Sequence, residues 1–108
     1  MNVKGRYVIR FRQNGEADTE LADKAADDLM KERVAGITLP ERLLLELGYF
    51  LATNRHLDVE NGTLCSGSRD SDGDVPSVDW SPDCREVCVG WYGPYDRYDS
   101  LCARAVVF

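Results

Sequence analysis

Apolar positions recur along this chain with two different periods, and the change from one to the other divides it. Tyr7, Ile9 and Phe11 alternate with Val8, Arg10 and Arg12, the period-two pattern of a strand with one apolar face. Asn14 and Gly15 then give a turn signal. From about residue 16 to 34, Leu21, Ala22, Ala25, Ala26, Leu29 and Met30 recur at helical spacing. Glu16, Asp18 and Glu20 lie early and Lys31 and Arg33 late, as the helix dipole favours, and Gly36 is the expected stop. Thr38 and Glu41 form a capping-box pattern ahead of a second helix, with Leu43, Leu44, Leu47, Phe50 and Leu51 as its buried stripe and an end near Asn54. Gly48 lowers helix propensity there, a cost that close packing would explain.

Beyond residues 56–62 the period returns to two. Val78 and Trp80 alternate with Ser77, Asp79 and Ser81, and Val89 and Trp91 with Cys88, Gly90 and Tyr92. An antiparallel meander follows, and its register is arguable. A hairpin centred on Tyr95 sets Val87 against Ala103 and Val89 against Leu101 on one face, and Glu86 against Arg104 and Cys88 against Cys102 on the other. Pro82 suits a type I turn before it. Pairing Trp80 with Arg85 then puts Val78 opposite Val87 and Ser77 beside Cys88. The apolar set Val78, Trp80, Val87, Val89, Trp91, Leu101, Ala103, Ala105 and Val107 is expected to share a core with Tyr7, Ile9 and Phe11. The expected fold class is α+β, a strand, two helices and an antiparallel C-terminal sheet, with the first and last strands free to pair.

Composition sharpens the division. The chain of 108 residues reads as one domain, with a scaffold over 1–63 and a distinct segment over 64–108. All four Cys and all six Ser fall in the second segment, which has no Lys, Asn, Gln, Thr or Met. Its polar positions are filled almost entirely by Asp, Ser, Gly, Tyr, Cys and Arg. Those residues are reached by changing one or both adenines of an Asn codon; Trp80, Trp91 and Glu86 are not reached in that way.

The formal charge of −6 disfavours generic binding to nucleic-acid phosphates or anionic membranes. No apolar run has the length of a secretory signal or a membrane span, so the expected location is the cytoplasm or a virion.

On Gly67, Ser68, Arg69, Asp70, Ser71, Asp72, Gly73, Asp74, Val75 and Pro76, the two alternating runs, and the ending from Leu101 to Val107, the chain resembles the variable proteins of diversity-generating retroelements. In that family a C-terminal region on a C-type-lectin-like fold is rewritten by adenine-directed mutagenesis. The resemblance implies a single C-type-lectin-like domain and a non-enzymatic function, recognition of varied macromolecular ligands. The implied ligand-binding residues are Ser68, Asp70, Asp72, Asp74, Ser77, Asp79, Asp83, Cys84, Cys88, Gly90, Tyr92, Tyr95, Asp96, Tyr98, Asp99 and Cys102. It also implies that each thiol is replaceable. A surface rich in Tyr, Ser, Gly and Asp has the composition of antibody binding loops, where Tyr gives large contact area at small entropic cost.

Sharper chemistry finds little purchase. Asp70, Asp72, Gly73, Asp74 and Asp79 partly match a calcium loop begun at Ser68, but position one is Ser, Pro76 intrudes and no helix precedes it. A solvated acidic loop is the better reading, and the carbohydrate motifs of calcium-dependent lectins are absent. The spacing of Cys84 and Cys88 does not suit a zinc knuckle; Cys88 with Cys102 is a candidate cross-strand disulfide, or two independent exposed thiols. His56 reads as a surface residue and Asp27 and Asp28 as solvated acids. No nucleophile elbow, phosphate loop or helical metal-ligand pair occurs, so neither enzyme chemistry nor a cofactor is expected. The alternative function is a small acidic inhibitor or immunity-type protein that masks a basic site on a partner.

Overall fold

The computed structural model describes residues 10–11 and 15–107, with the Val107 side chain left aside. Tyr7, Val8, Ile9, Arg12 and Asn14, named above for the first strand and its turn, lie outside the described residues. What is described is an α+β fold with two helices and a mixed four-stranded sheet. In chain order it comprises β1 (Arg10–Phe11), a 3-10 turn (Thr19–Leu21), α1 (Ala26–Lys31), α2 (Leu39–Thr53), β2 (Gly62–Leu64), β3 (Val75–Ser81), β4 (Glu86–Tyr92), β5 (Leu101–Ala103) and β6 (Val106–Val107). No helix among the described residues is long and apolar enough to cross a membrane.

The capping box does start α2. Thr38 Oγ1 accepts from the Glu41 amide at 3.3 Å and Glu41 Oε1 accepts from the Thr38 amide at 2.9 Å, satisfying two amides the helix leaves free. Asn54 closes it in the left-handed region, at φ 59°. The first helix is shorter than its spacing predicts. Its start is held by Asp28 Oδ2, which accepts from the Ala25 amide at 3.0 Å, and it ends at Lys31 because Arg33 turns left-handed at φ 58°. Gly36, the expected stop, instead bridges Ala105.

The sheet order is β4-β3-β2-β5. β3 and β4 pair antiparallel with Trp80 opposite Val87 and Val78 opposite Val89, a slip of two from the expected register. Because side chains alternate with period two, an even slip leaves every residue on its expected face. The larger correction concerns β5. It pairs parallel with β2, Thr63 opposite Cys102, and makes no hairpin with β4. The cause is the connection 93–100, which is drawn onto α1: the Asp27 amide donates to Pro94 O at 2.9 Å, and the Arg97 guanidinium donates through Nε and Nη2 to the two Asp28 oxygens at 2.7 and 2.8 Å. The chain is thereby carried from one edge of the sheet to the other. Glu86 and Arg104 do not meet, and Asp28 is an anchored carboxylate rather than a solvated one.

Each helix covers one face. On the α1 side, Ala26 and Leu29 pack with Leu64, Val75, Leu101 and Ala103. On the α2 side, Ile37, Cys65 and Val78 pack with Phe11, Leu39 and Leu45. Leu101 and Ala103 therefore point away from Val78, contrary to the meander register. β1 and β6 do pair, Arg10 opposite Val107 and Phe11 opposite Val106.

Two expectations for the α2 side fail together. Leu43, Leu44, Leu47, Phe50 and Leu51 are exposed, and the buried residues of α2 are Arg42 and Glu46, with Leu39 and Leu45 partly buried beside them. Likewise Val87, Val89 and Trp91 lie on the predicted face but are exposed, because α2 sits over β3, with Arg42 reaching Thr63 of β2, and does not extend over β4. Gly48 is exposed, with no atom within 4 Å of where a Cβ would be, so close packing does not explain it.

The interior beneath α2 is ionic. Asp58 is fully buried: its Oδ2 accepts from Arg42 Nη2 at 3.0 Å and from the Thr63 hydroxyl, and its Oδ1 accepts from Arg104 Nη2 at 3.0 Å and the Ala17 amide at 2.9 Å. Thr63 Oγ1 in turn accepts from Arg104 Nε at 2.9 Å. Glu46 Oε1 stands 4.0 Å from Arg42 Nη1, so two guanidiniums face two carboxylates. Such balance is what a buried charge needs. Next to it His56 is sandwiched between Phe50 and Trp80, with ring centroids 4.9 and 3.5 Å away. It is not the bare surface residue its position implied.

Candidate functional site

The face of β3 and β4 opposite α2 is covered by α1 only at one end, where Val75 and Tyr92 pair. Beyond that end, alternation brings four of the expected residues together: Ser77 lies opposite Gly90, and Asp79 opposite Cys88. Asp79 is exposed and the other three are half-buried. A Cβ on Gly90 would meet Ser77 Oγ at 3.1 Å, so the glycine lowers the floor at that point.

Tyr92 borders this patch and also packs against the α1-side core, with its ring 5.3 Å from that of Tyr98 at 57°. Between the tyrosines and the strands is a shallow notch of about 100 Å³, lined by Glu60, Asn61, Gly62, Ser77, Asp79, Tyr92, Ser100 and Leu101. No cation lines it. Two carboxylates at its rim make it a receptor for hydrogen-bond donors and positive groups.

The rim is built in advance. Glu16 Oε2 accepts from the Val59 amide at 3.1 Å and Oε1 from the Asn61 amide at 2.9 Å, fixing the loop that carries Glu60. On the other side, Asp96 Oδ2 accepts from the Gly93 amide at 2.8 Å, and Tyr98 O accepts from the Asp23 amide at 3.2 Å. Tyr95, Asp96, Tyr98 and Asp99 are exposed on this connection, continuous with Tyr92.

Other expected residues lie elsewhere. Ser68 Oγ accepts from the Leu39 amide at 2.9 Å at the start of α2. Asp70 Oδ1 accepts from the amides of Asp72 and Asp74, each at 2.9 Å, so this carboxylate organises its own loop. Asp83 and Cys84 are exposed in the turn that joins β3 to β4, just past the Asp79–Cys88 end of the quartet and at the opposite end of the strands from Tyr92. The sixteen candidates therefore do not form one patch. Cys102 is a correction: it is buried, on the α2 side, with two strands between it and Cys88. No disulfide can bridge that separation, and all four thiols are free.

The thiols' chemistry follows from their surroundings. Burial pushes Cys65 up to about 12. Desolvation, then the charges of Asp79 and Glu86, raises Cys88, and burial followed by Asp58 raises Cys102. A nucleophilic thiol needs the thiolate, which these settings disfavour. Among the described residues, no group of three or more His, Cys, Asp or Glu is arranged to hold a metal ion.

Sequence reasoning missed Glu60, Asn61, Gly62 and Ser100, which join the notch only through the parallel β2–β5 pairing. It also missed Asp58. Arg104 was the available signal, a charge inside an apolar run, which requires a buried partner. No family model matches the chain, and no curated protein or solved structure is similar to it.

Proposed function

We propose that this chain is a non-enzymatic ligand-binding protein with a C-type-lectin-like fold, whose segment 64–108 is diversified by a diversity-generating retroelement to recognise macromolecular ligands. The observation that carries the reading is the cross-strand quartet Ser77, Gly90, Asp79 and Cys88: residues of the adenine-accessible set share one face of β3 and β4 beyond the end that α1 covers, Asp79 exposed and the others half-buried, while apolar Val78, Trp80, Val87, Val89 and Trp91 share the other. A set kept off the α2-side core can change at its exposed member, Asp79, with little effect on folding. Tyr98, packed against Tyr92 at the quartet's edge, and the exposed Tyr95 on the same connection add rigid amphipathic contact area. The deciding experiment is sequencing of the encoding gene and its flanks. A near-copy of the segment for 64–108, differing at adenines in the codons for Ser77, Asp79, Cys88 and Gly90, is the expected result; its absence, with no adjacent reverse transcriptase gene, overturns the proposal.

A second reading, an acidic protein that masks a basic site on a partner, is favoured by the notch, where Glu60 and Asp79 stand with no cation among the described lining residues. It predicts an association rate that falls steeply with ionic strength, whereas a tyrosine-centred surface predicts a shallow dependence.

A further inference from the structure

The outer flank of α2 and the uncovered floor of β4 form one apolar corner, and we infer that the chain closes it by pairing with a second copy of itself as a twofold dimer. The flank is formed by Leu43, Leu47 and Phe50, the floor by Val87, Val89 and Trp91. Leu47 is 55 %, Val89 46 % and Trp91 52 % exposed, values foreign to a folded interior. The two parts are continuous: Phe50 stacks on His56, His56 on Trp80, and Trp80 pairs with Val87.

The size of the corner is the first argument. Those six side chains expose on the order of 500 Å², and about 750 Å² with the outermost leucines of α2 included, above the 300–600 Å² of the largest patch on a typical monomer. One partner in a standard stable interface contributes about 800 Å².

Shape is the second argument. A helix ridge stands beside a bare strip of sheet, and each is the counterpart the other lacks. A twofold rotation lays the ridge of one copy on the floor of its partner and does the same in reverse, an isologous contact that closes on itself. Charge also permits it. The six side chains of the corner carry no charge, the His56 that joins its two parts is held between two rings, and Asp79 and Glu86 project from the opposite face of the sheet, so among the described residues two chains of charge −6 can meet there without opposing acids. The two sheet edges differ in the same sense. β5 is covered by the Ala22 bridge and by the Asp18 amide, which donates to Ala103 O, whereas β4 has no neighbour on its outer side among the described residues and carries neither Lys nor Pro to protect it.

The test is sedimentation equilibrium on the purified chain from about 1 to about 200 µM. The expected mass is twice the 12.1 kDa of the chain. Leu47→Glu and Val89→Glu should each weaken the dimer about a hundredfold or more, as buried charges at an interface centre do, with the far-UV spectrum retained. Tyr95→Ser, away from the corner, should leave the mass unchanged. If Leu47→Glu fails to fold, Leu51→Glu, at a position 75 % exposed, decides in its place. A wild-type chain that stays monomeric at the highest concentration overturns the inference. So does a dimer indifferent to these charges, or a larger mass accounted for by a different co-purified protein.

Discussion

Asp58 and Arg104 meet at 3.0 Å in the interior, 46 positions apart in sequence, with Arg42 on the second oxygen of the same carboxylate. Removing that charge takes from two buried guanidiniums the carboxylate they share. Asp58→Asn should destabilise the fold by about 3–5 kcal/mol, read as the urea midpoint. A variant with the wild-type midpoint would show that the network contributes no net stability.

The cysteines separate by burial. Cys65→Ser puts a hydroxyl at a site with no solvent access and should cost about 1–3 kcal/mol. Cys84→Ser, in the exposed β3–β4 turn, should stay within about 0.5 kcal/mol. Thermal melts of the two single variants check the pair; equal effects would contradict the burial of Cys65.

Asp28 gives the fold an acid-sensitive clamp. Its carboxyl is held below the ordinary aspartate range by the Arg97 guanidinium and then by the Ala25 amide. A depressed value in the folded state means that this contribution is present above the unfolded value, about 3.9, and is lost as pH falls through the folded one. Arg97→Gln should therefore flatten the decline of the urea midpoint below about pH 4. Amide exchange in residues 93–100 should accelerate in that variant at neutral pH.

Gly67 and Gly36 cross closely. A Cβ on Gly67 would stand 2.5 Å from Gly36 O, and one on Gly36 would stand 1.8 Å from Ser66 Oγ. Gly67→Ala should cost about 1–3 kcal/mol by overpacking. Gly48→Ala, facing open space within a helix, should stabilise by about 0.5–1 kcal/mol. Opposite signs in the two melts are the expected result.

The proposed binding face makes a graded prediction. Asp79→Ser, Tyr95→Ser and Asp99→Ser should each shift stability by no more than about 0.5 kcal/mol and should together abolish binding of the native ligand. Tyr92→Ala should cost more, because that ring also packs on the α1-side core. A triple variant that unfolds would mark these residues as scaffold.

Signals that act within a few residues were legible in the sequence. The capping box at Thr38, the end of α2 at Asn54 and the sidedness of β3 and β4 were all local patterns. Pairing across long separations was legible only for the first and last strands. The parallel match of β2 with β5 involves no turn, and the opposite charges of Glu86 and Arg104 fitted a hairpin until Asp58 proved to be the partner. The leucines of α2 illustrate a different limit: spacing identifies a helix and its apolar side, but not whether this chain supplies what covers that side. The notch was half visible, through Ser77, Asp79 and Tyr92, since its other wall comes from residues 60–62 by way of β5.

The route through β5 also sets a timetable for folding. The β3–β4 hairpin needs only a short loop and can form in about 1–10 µs, and β2 can join β3 directly, yet the other edge of β2 must wait until the chain has run out along β3, back along β4 and through residues 93–100. Pairings of that separation bring folding into the millisecond-to-second range. Until Leu101, Cys102 and Ala103 dock, the open edge of β2 and the apolar side chains around Leu64 are available to other unfinished chains. Refolding yield should accordingly fall with protein concentration, through a kinetic competition between strand docking and aggregation at that edge.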